Sequence, residues 1–303
     1  MDRRLEVLTD LICSCGEGPV WDSENARLYW IDIPVGDILC FSIKENKIEK
    51  FSVEQKIGSI ALAGSGRLIA ALKSGFYAID FPGKQMAWIV NPESDKPQNR
   101  FNDGKCDPAG RFWAGSMSDG GVARSGTLYT LEKNGSVSKK LEGLSIPNGM
   151  AWDLNKCKYY HIDTPTNQVV AYDYDDLSGG IENGKVVVEI DKKEGVPDGM
   201  TIDSEGMLWI AHWNGGRVSR WDPDSAEKLE EILLPVAKVT SCIFGGENMD
   251  ELFITTARIG LSEEELIREP LAGKTFVLKQ VDVTGVPQVK VDINISGIDL
   301  IQF

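Results

Sequence analysis

The sequence predicts an all-β protein, a six-bladed β-propeller, and three observations lead to this prediction. A short motif recurs six times with a period in the forties, an apolar run rich in aromatic residues follows each copy, and turns separate motif from run. Two short strands joined by a tight turn, repeated about every 40–50 residues, are typical of propeller blades. Six blades occupy most of a chain of 303 residues, so we expect residues 1–303 to form a single domain.

The repeated motif is clearest at residues 17–22, 148–153 and 198–203. Each of these copies opens with an oxygen-bearing side chain, passes through glycine into apolar residues and reaches aspartate five positions later. The other three copies are less regular but keep the spacing. The six first positions are Glu17, Gly58, Asn102, Asn148, Asp198 and Ser241.

The runs that follow the motif predict strands rather than helices. They are rich in Trp, Tyr, Phe and Ile, and glycine recurs between them, which argues against a solenoid of helical repeats. The runs lie at residues 28–31, 68–71, 112–115, 159–162, 208–211 and 252–255. One helix is predicted over residues 262–268, because Ser262 can cap its N-terminus and Pro270 follows its last turn.

The two ends of the chain suggest how the ring of blades closes. The residues after Ser241 are more than one blade needs, and an apolar run at residues 5–8 precedes the first copy of the motif. We predict that this run pairs with the C-terminal blade, because such pairing removes a free sheet edge.

The composition limits the kinds of binding partner and the cellular compartment that we expect. The net charge is −14 and no cluster of Lys or Arg is present, so nucleic acid and anionic membranes are poor partners. No stretch of 18 apolar residues predicts a membrane span, and the N-terminus lacks the apolar core of a signal peptide. We expect the six cysteines to be free thiols and the protein to be a cytoplasmic monomer or weak dimer.

Three first positions of the motif predict a metal site. Glu17, Asn148 and Asp198 begin the first, fourth and fifth copies, so their side chains would enter one mouth of the central channel from different directions. An all-oxygen set suits Ca²⁺, Mg²⁺ or Mn²⁺, and without His or Cys it is a poor structural zinc site. Asn-Gly and Asp-Gly pairs also form ordinary turns, but a turn does not require glutamate at the equivalent position.

Nucleophilic catalysis by a side chain finds no support in the sequence. The two histidines, His161 and His212, lie in or beside apolar runs and are interpreted as packed core residues. No Gly-x-Ser-x-Gly motif is present. Attack by water with the help of a metal ion is the chemistry that remains.

Several ordered motifs resemble those of one known family. They are Glu-Gly-Pro at residues 17–19, Arg-Phe-Asn-Asp-Gly-Lys at 100–105, the segment 107–115, Pro-Asn-Gly-Met-Ala-Trp at 147–152, Pro-Asp-Gly-Met at 197–200, and segments 261–265 and 270–273. Together they resemble the family of gluconolactonases, senescence marker protein 30 and luciferin-regenerating enzymes. The resemblance implies a six-bladed propeller, one divalent metal ion in the channel mouth, and hydrolysis of sugar lactones.

The resemblance also implies roles for individual residues. It places the metal ligands at Glu17, Asn148 and Asp198, and it makes Asp198 the general base as well. Calcium is the metal we expect, with Zn²⁺, Mn²⁺, Mg²⁺ and Fe²⁺ as alternatives. Arg100 and Asn102 match the substrate-contacting residues of the family.

The resemblance leaves one substrate contact and the activity itself open. Asp119 stands after the segment in which vertebrate members carry a substrate-contacting glutamate, so we predict that it takes this role with a shorter side chain. Two other functions stay open: a calcium-binding regulatory or interaction propeller without catalysis, and a phosphotriesterase-like ester hydrolase. Arg100 discriminates against the regulator, because a purely structural metal site needs no cation that orients a substrate.

Overall fold

The computed structural model describes residues 4–64, 66–293 and 301–302, and these form six antiparallel sheets. Three blades occupy the first half of the chain. Blade 1 contains β2 (Gly16–Asp22), β3 (Arg27–Asp32), β4 (Asp37–Ser42) and β5 (Lys47–Ser52); blade 2 contains β6 (Ile57–Leu62), β7 (Arg67–Leu72), β8 (Gly75–Asp80), β9 (Gln85–Val90) and β25 (Ile301–Gln302); blade 3 contains β10 (Asn99–Cys106), β11 (Phe112–Ser118), β12 (Gly126–Leu131) and β13 (Val137–Leu144).

The remaining blades follow in chain order. Blade 4 contains β14 (Pro147–Asp153), β15 (Lys158–Asp163), β16 (Gln168–Asp175) and β17 (Gly180–Glu189); blade 5 contains β18 (Val196–Ile202), β19 (Leu208–Trp213), β20 (Arg217–Asp222) and β21 (Glu227–Leu233); blade 6 contains β22 (Val239–Gly245), β23 (Glu251–Thr256), β24 (Phe276–Lys279) and β1 (Arg4–Val7). Short 3-10 turns lie at Thr164–Thr166 and Lys192–Glu194.

The six sheets form a ring around a central channel. The first strands of neighbouring blades contact each other in the order β2, β6, β10, β14, β18 and β22, and β22 contacts β2 again. Each of these inner strands begins within three residues of a first position of the sequence motif. The predicted six-bladed β-propeller is therefore confirmed. A single domain over residues 1–303 stays a prediction, because that range includes residues 1–3, 65, 294–300 and 303, which lie outside the described residues.

The N-terminal strand closes the ring. β1 pairs antiparallel with β24, with Leu5 opposite Leu278 and Val7 opposite Phe276. The Leu8 amide continues the pairing by donating to the Thr275 carbonyl oxygen at 2.8 Å. The predicted pairing of residues 5–8 with the last blade is confirmed, and blade 6 obtains its outer strand from the other end of the chain.

Packing between blades rests on the second strand of each sheet. Trp30, Trp113 and Trp209 lie on β3, β11 and β19 and are fully buried. Burial of side chains of this size stabilises the fold by roughly 1.5–3 kcal/mol each. The apolar runs of the sequence thus form the walls between blades.

Three further predictions can be compared with the structure. The helix α1 (Glu263–Arg268) begins after Ser262, whose side chain forms a capping box with Glu265. The predicted helix is confirmed. All six cysteines are free thiols, as predicted. Among the described residues, no helix is long and apolar enough to cross a membrane.

The C-terminal segment crosses one end of the channel. Gly285 forms a bridge with Asp203 of blade 5, and the Val291 amide donates to the Leu62 carbonyl oxygen of blade 2 at 2.6 Å. The segment between them walls a cavity of about 240 Å³ together with residues from the later halves of the inner strands. This end of the channel is therefore covered, and the ligands predicted at the first positions lie toward the other end.

Candidate active site

A β-bulge at the first position of the motif shapes the site. The antiparallel register shifts between Glu17 and Val20, between Pro147 and Met150, and between Pro197 and Met200. A bulge leaves residues out of the ladder and turns their side chains in new directions. The other three inner strands shift register at the equivalent place, so the bulge belongs to the repeat.

The glycine that follows the first position permits close approach of neighbouring inner strands. A Cβ atom at Gly149 would lie 2.6 Å from Cβ of Met200 and 2.8 Å from the carbonyl oxygen of Asp198. A Cβ atom at Gly199 would lie 2.1 Å from Oγ of Ser241. These distances are too short for any side chain, so glycine is what brings the bulges of blades 4, 5 and 6 together.

The amide of Asn148 is held in one orientation. Its Oδ1 accepts a hydrogen bond from Asn102 Nδ2 at 3.0 Å, and its Nδ2 donates to Thr164 Oγ1 at 2.7 Å. The Thr164 hydroxyl donates in turn to the carbonyl oxygen of Pro197 at 2.8 Å, so it must accept from Asn148. Oδ1 of Asn148 therefore faces Asn102 and keeps a lone pair for a further partner.

Glu17 and Asp198 place two carboxylates in the same buried region. Glu17 is 5% and Asp198 8% exposed. Oε2 of Glu17 accepts from the Gly18 amide, whereas its Oε1 is buried without a hydrogen-bond partner. Burial, followed by repulsion from Asp198 and Asp103, holds the pKa of Glu17 well above its usual value. Burial and repulsion from Asp103 raise the pKa of Asp198 in the same way.

These features fit a divalent cation. A buried oxygen without a partner and two carboxylates that repel each other are costly in isolation, and a cation would satisfy both. Among the described residues, no group of three or more His, Cys, Asp and Glu side chains can hold a metal ion. The predicted set therefore depends on the amide oxygen of Asn148 as the third ligand beside Glu17 and Asp198.

The predicted substrate residues form a continuous row beside this set. Arg100 Nη1 donates to Asn102 Oδ1 at 2.8 Å and to the Phe101 carbonyl oxygen at 2.8 Å. Arg100 Nε lies 3.4 Å from Asp119 Oδ1. The structure thus brings Arg100, Asn102 and Asp119 together next to Asn148, and their roles toward a substrate stay predictions.

Two residues of opposite charge, Asp103 and Lys105, lie on the same inner strand as Asn102. Asp103 Oδ1 accepts from the Gly104 amide at 2.7 Å, and Lys105 Nζ donates to the Met200 carbonyl oxygen at 2.7 Å. Burial raises the pKa of Asp103, and attraction from Lys105 opposes this rise. Both residues line the 240 Å³ cavity, whereas Glu17, Asn148 and Asp198 do not. The predicted metal ligands therefore lie outside this cavity, whose walls are largely apolar.

Sequence reasoning missed several residues near the site. Thr164 orients Asn148, yet its only local signal is its place directly after β15. Lys56 Nζ contacts Asp119 Oδ1 at 2.6 Å, and Lys73 Nζ lies 3.5 Å from Asp119 Oδ2. Burial acts to raise the pKa of Asp119, but Lys56, Arg100 and Lys73 hold it below its usual value. The lysines lie more than 40 residues before Asp119, so no local pattern could connect them.

Comparisons with known proteins agree with the fold and the motifs. The chain matches the SMP-30/gluconolactonase/LRE-like region over residues 15–258. It is 38% identical to regucalcin of Pongo abelii over 288 residues, which cover 93% of this chain and 96% of that protein. It is 39% identical over 276 residues to YvrE, a candidate sugar lactone lactonase of Bacillus subtilis, with 91% and 94% covered. A regucalcin of Agrobacterium tumefaciens, described as a calcium-binding protein, has a similar structure with a TM-score of 0.89 and 26% identity, covering 94% of this chain and 96% of that one.

The fold and the geometry of the site identify a structural class: six-bladed propellers with polar side chains at the bulges of their inner strands. Within this class, the chain belongs to the SMP-30/gluconolactonase/LRE-like family. The resemblance drawn from the motifs is thereby confirmed. Membership supports hydrolysis of sugar lactones at the level of the family.

Proposed function

We propose that the protein is a metal-dependent sugar lactonase. The observation that carries this proposal is the juxtaposition of two kinds of group. One is a buried oxygen set, Glu17, Asn148 and Asp198, in which Oε1 of Glu17 has no hydrogen-bond partner; the other is a hydrogen-bonding row, Arg100 and Asn102. The first suits a divalent cation, and the second suits the hydroxyl groups of a sugar ring.

Glu17, Asn148 and Asp198 would hold the cation. When bound, the cation would polarise the lactone carbonyl oxygen and stabilise the negative charge that grows on it during attack. Calcium is our first choice, since the Agrobacterium relative is described as a calcium-binding protein. Mg²⁺, Mn²⁺, Zn²⁺ and Fe²⁺ remain alternatives for the same oxygen ligands.

Asp198 would act as the general base. The oxygen of a water molecule bonds to the carbonyl carbon, Asp198 takes the proton, and the ring C–O bond breaks as that proton passes to the departing ring oxygen. The product is the open-chain hydroxy acid. A lactone is an activated ester, so a carboxylate is a strong enough base for this step.

Arg100 and Asn102 would orient the lactone. Arg100 is bound to Asn102, and Asn102 is bound to Asn148, so the position of the sugar ring is coupled to that of a metal ligand. Such pre-positioning raises the rate by avoiding the entropy cost of alignment. Asp119 would contact the sugar as well, and its pairing with Arg100 and Lys56 would fix the position of its carboxylate.

A panel of aldonolactones tests the proposal. Acid release is measured after exhaustive chelation and after addition of Ca²⁺, Mg²⁺, Mn²⁺, Zn²⁺ or Fe²⁺, and we expect activity only with metal. Arg100→Ala should keep its metal affinity and lose about 2–4 kcal/mol in kcat/KM for the lactone. Activity that survives chelation would contradict the role of the metal.

The panel also separates the alternative functions. A calcium-binding regulator would bind Ca²⁺ by calorimetry and hydrolyse no lactone, and Arg100→Ala would have no effect on it. A phosphotriesterase-like hydrolase would act on phosphotriesters in preference to lactones at the same metal site.

A further inference from the structure

Beside Arg100 lie two lysines to which the proposed lactone hydrolysis assigns no role. Lys56 Nζ donates to both carboxylate oxygens of Asp119, at 2.6 and 2.8 Å, and Lys73 Nζ lies 3.5 Å from Oδ2 of the same group. Arg100 Nε lies 3.4 Å from Oδ1. We call Lys56, Lys73, Arg100 and Asp119 the mouth cluster.

The mouth cluster has an excess of positive charge. Three cations share one carboxylate, and in residues 4–64, 66–293 and 301–302 only Asp119 pairs with either lysine. The chain as a whole has a net charge of −14, so this local excess opposes the general trend. A positive patch on an acidic protein concentrates anions at that point.

The cluster leads from the buried site to solvent. Side-chain exposure is 15% for Arg100, 21% for Asp119, 39% for Lys56 and 43% for Lys73. Arg100 is joined to Asn102 and, through it, to Asn148. A substrate whose ring lies against Arg100 and Asn102 would therefore extend its remote end toward the two lysines.

The cluster is held in place before any ligand arrives. The Lys73 amide donates to the Lys56 carbonyl oxygen at 2.9 Å, which joins the two lysines at the ends of β7 and β6. The Asp119 amide donates to the Gln98 carbonyl oxygen at 2.9 Å. Half-exposed ion pairs of this kind add little to stability, so stability alone gives no reason for two lysines at one carboxylate.

On the basis of the lactonase function proposed above, we propose that the mouth cluster selects the substrate class: sugar lactones that carry an anionic substituent, a carboxylate or a phosphate, at the end remote from the carbonyl. Lys56 and Lys73 bind this anion by charge-assisted hydrogen bonds. Asp119 positions the lysine ammonium groups without cancelling their charge. A neutral lactone gains nothing from the two lysines.

Three lactones that differ in one substituent test this proposal. Glucono-δ-lactone is neutral, its 6-phosphate carries a phosphate, and glucaro-δ-lactone carries a free carboxylate at C6, so the two anionic arms identify which group is preferred. We expect kcat/KM to be at least ten-fold higher for one anionic lactone than for the neutral one, and to fall with ionic strength for the anionic lactone only. The double variant Lys56→Gln/Lys73→Gln should lower this preference at least ten-fold.

Matched controls keep the outcomes distinct. Lys139→Gln removes an exposed lysine that pairs with Glu142 on an outer strand, and it should leave every rate unchanged. Binding of 6-phosphogluconate and of gluconate is measured by calorimetry, independently of turnover. Hydrolysis of the neutral lactone with equal or higher kcat/KM overturns the anion selectivity and keeps the lactonase. A third outcome is that no lactone is hydrolysed, while 6-phosphogluconate binds more tightly than gluconate and the double variant loses this difference. That outcome would contradict the proposed lactonase function and support the anion site.

Discussion

Buried acidic residues at the first positions of the inner strands and at their far ends differ in how their oxygens are satisfied. At the first positions, Glu17 has a buried oxygen without a partner, and repulsion from neighbouring carboxylates raises its pKa and that of Asp198. At the far ends, Asp107 and Asp203 directly follow β10 and β18. Asp107 accepts from Arg111 and Trp113, and Asp203 accepts from Trp209 and Arg220. The difference teaches that a buried carboxylate whose oxygens have donors is already satisfied, whereas a buried oxygen without a donor can still accept a ligand.

The hydrogen-bonded aspartates at the far ends, Asp107 and Asp203, have the same structural role in two repeats. Asp107 Oδ2 lies 2.9 Å from the Trp113 indole nitrogen, and Asp203 Oδ2 lies 2.9 Å from that of Trp209. Each aspartate thus joins the end of an inner strand to the tryptophan of the next strand, six residues later. The two ends of the strand can therefore be tested separately, by activity and by stability.

The largest effect is expected at the unsatisfied end. Glu17→Gln and Asp198→Asn each remove a negative charge and replace a carboxylate ligand by a weaker, neutral amide oxygen, so calorimetry should find strongly weakened metal binding in both. Asp198→Ala should abolish turnover even in excess metal, because metal restores occupancy but not the base. Recovery of a near wild-type rate in excess metal would make Asp198 a ligand alone and move the base to Asp103 or to solvent. Unchanged metal affinity in both carboxamide variants would contradict the site.

The next effect concerns the satisfied end. Asp107→Ala leaves the buried guanidinium of Arg111 without its carboxylate, which lies 2.6 Å away, and should lower the free energy of unfolding by about 3–5 kcal/mol. Urea unfolding measures this change, and metal affinity of the folded variant serves as the control. If Asp107→Ala keeps the wild-type free energy of unfolding but fails to bind metal, the proposed separation of a structural end from a metal-binding end is wrong.

A smaller effect is expected from the residue that orients Asn148. Thr164→Val removes the acceptor of the Asn148 amide, which lies 2.7 Å away, and frees that amide to rotate. Residues that orient metal ligands typically change affinity by about 10–100-fold, and we expect a loss in this range by calorimetry. Thr164→Ser keeps the hydroxyl and should restore binding. If the valine variant binds metal normally, Asn148 needs no such support or is not a ligand.

The smallest effect is expected at His161, a second buried group with an atom that has no hydrogen-bond partner, and it concerns the pH dependence of stability. His161 Nε2 has none, and burial lowers the pKa of His161 to about 3 from its usual 6.5. Between these values the unfolded chain takes up a proton that the folded chain refuses, so stability is lost as pH falls, by about 1.4 kcal/mol per pH unit. His161→Gln should flatten this slope in urea unfolding between pH 6.5 and 5.

The urea unfolding of wild type and His161→Gln is measured with a chelator present, so that release of metal at low pH does not contribute to the loss of stability. His212 also titrates low, with burial lowering its pKa to about 4, but its ring nitrogens contact Glu194 and Ser219. A wild-type slope that survives His161→Gln would assign the acid sensitivity to other groups, among them His212.

The sequence by itself determined the number of blades, the strand positions, the capped helix and the closing N-terminal strand. These features depend on local patterns: alternation of apolar runs and turns, a Ser-x-x-Glu cap, and an apolar run with no other sheet to join. The residues Glu17, Asn148, Asp198, Asn102 and Arg100 could also be selected, because they stand at repeated or motif positions.

Only the tertiary structure decided which side chains meet. Three features join segments from different strands or blades. They are the bulges in the inner strands, the hydrogen bond from Asn148 to Thr164, and the contact of Lys56 and Lys73 with Asp119. A sequence pattern reports the period of one strand and one turn, and it contains no information on which neighbour the ring places opposite. Distances across the ring arise from blade packing, and therefore the mouth cluster could not be predicted from any local motif.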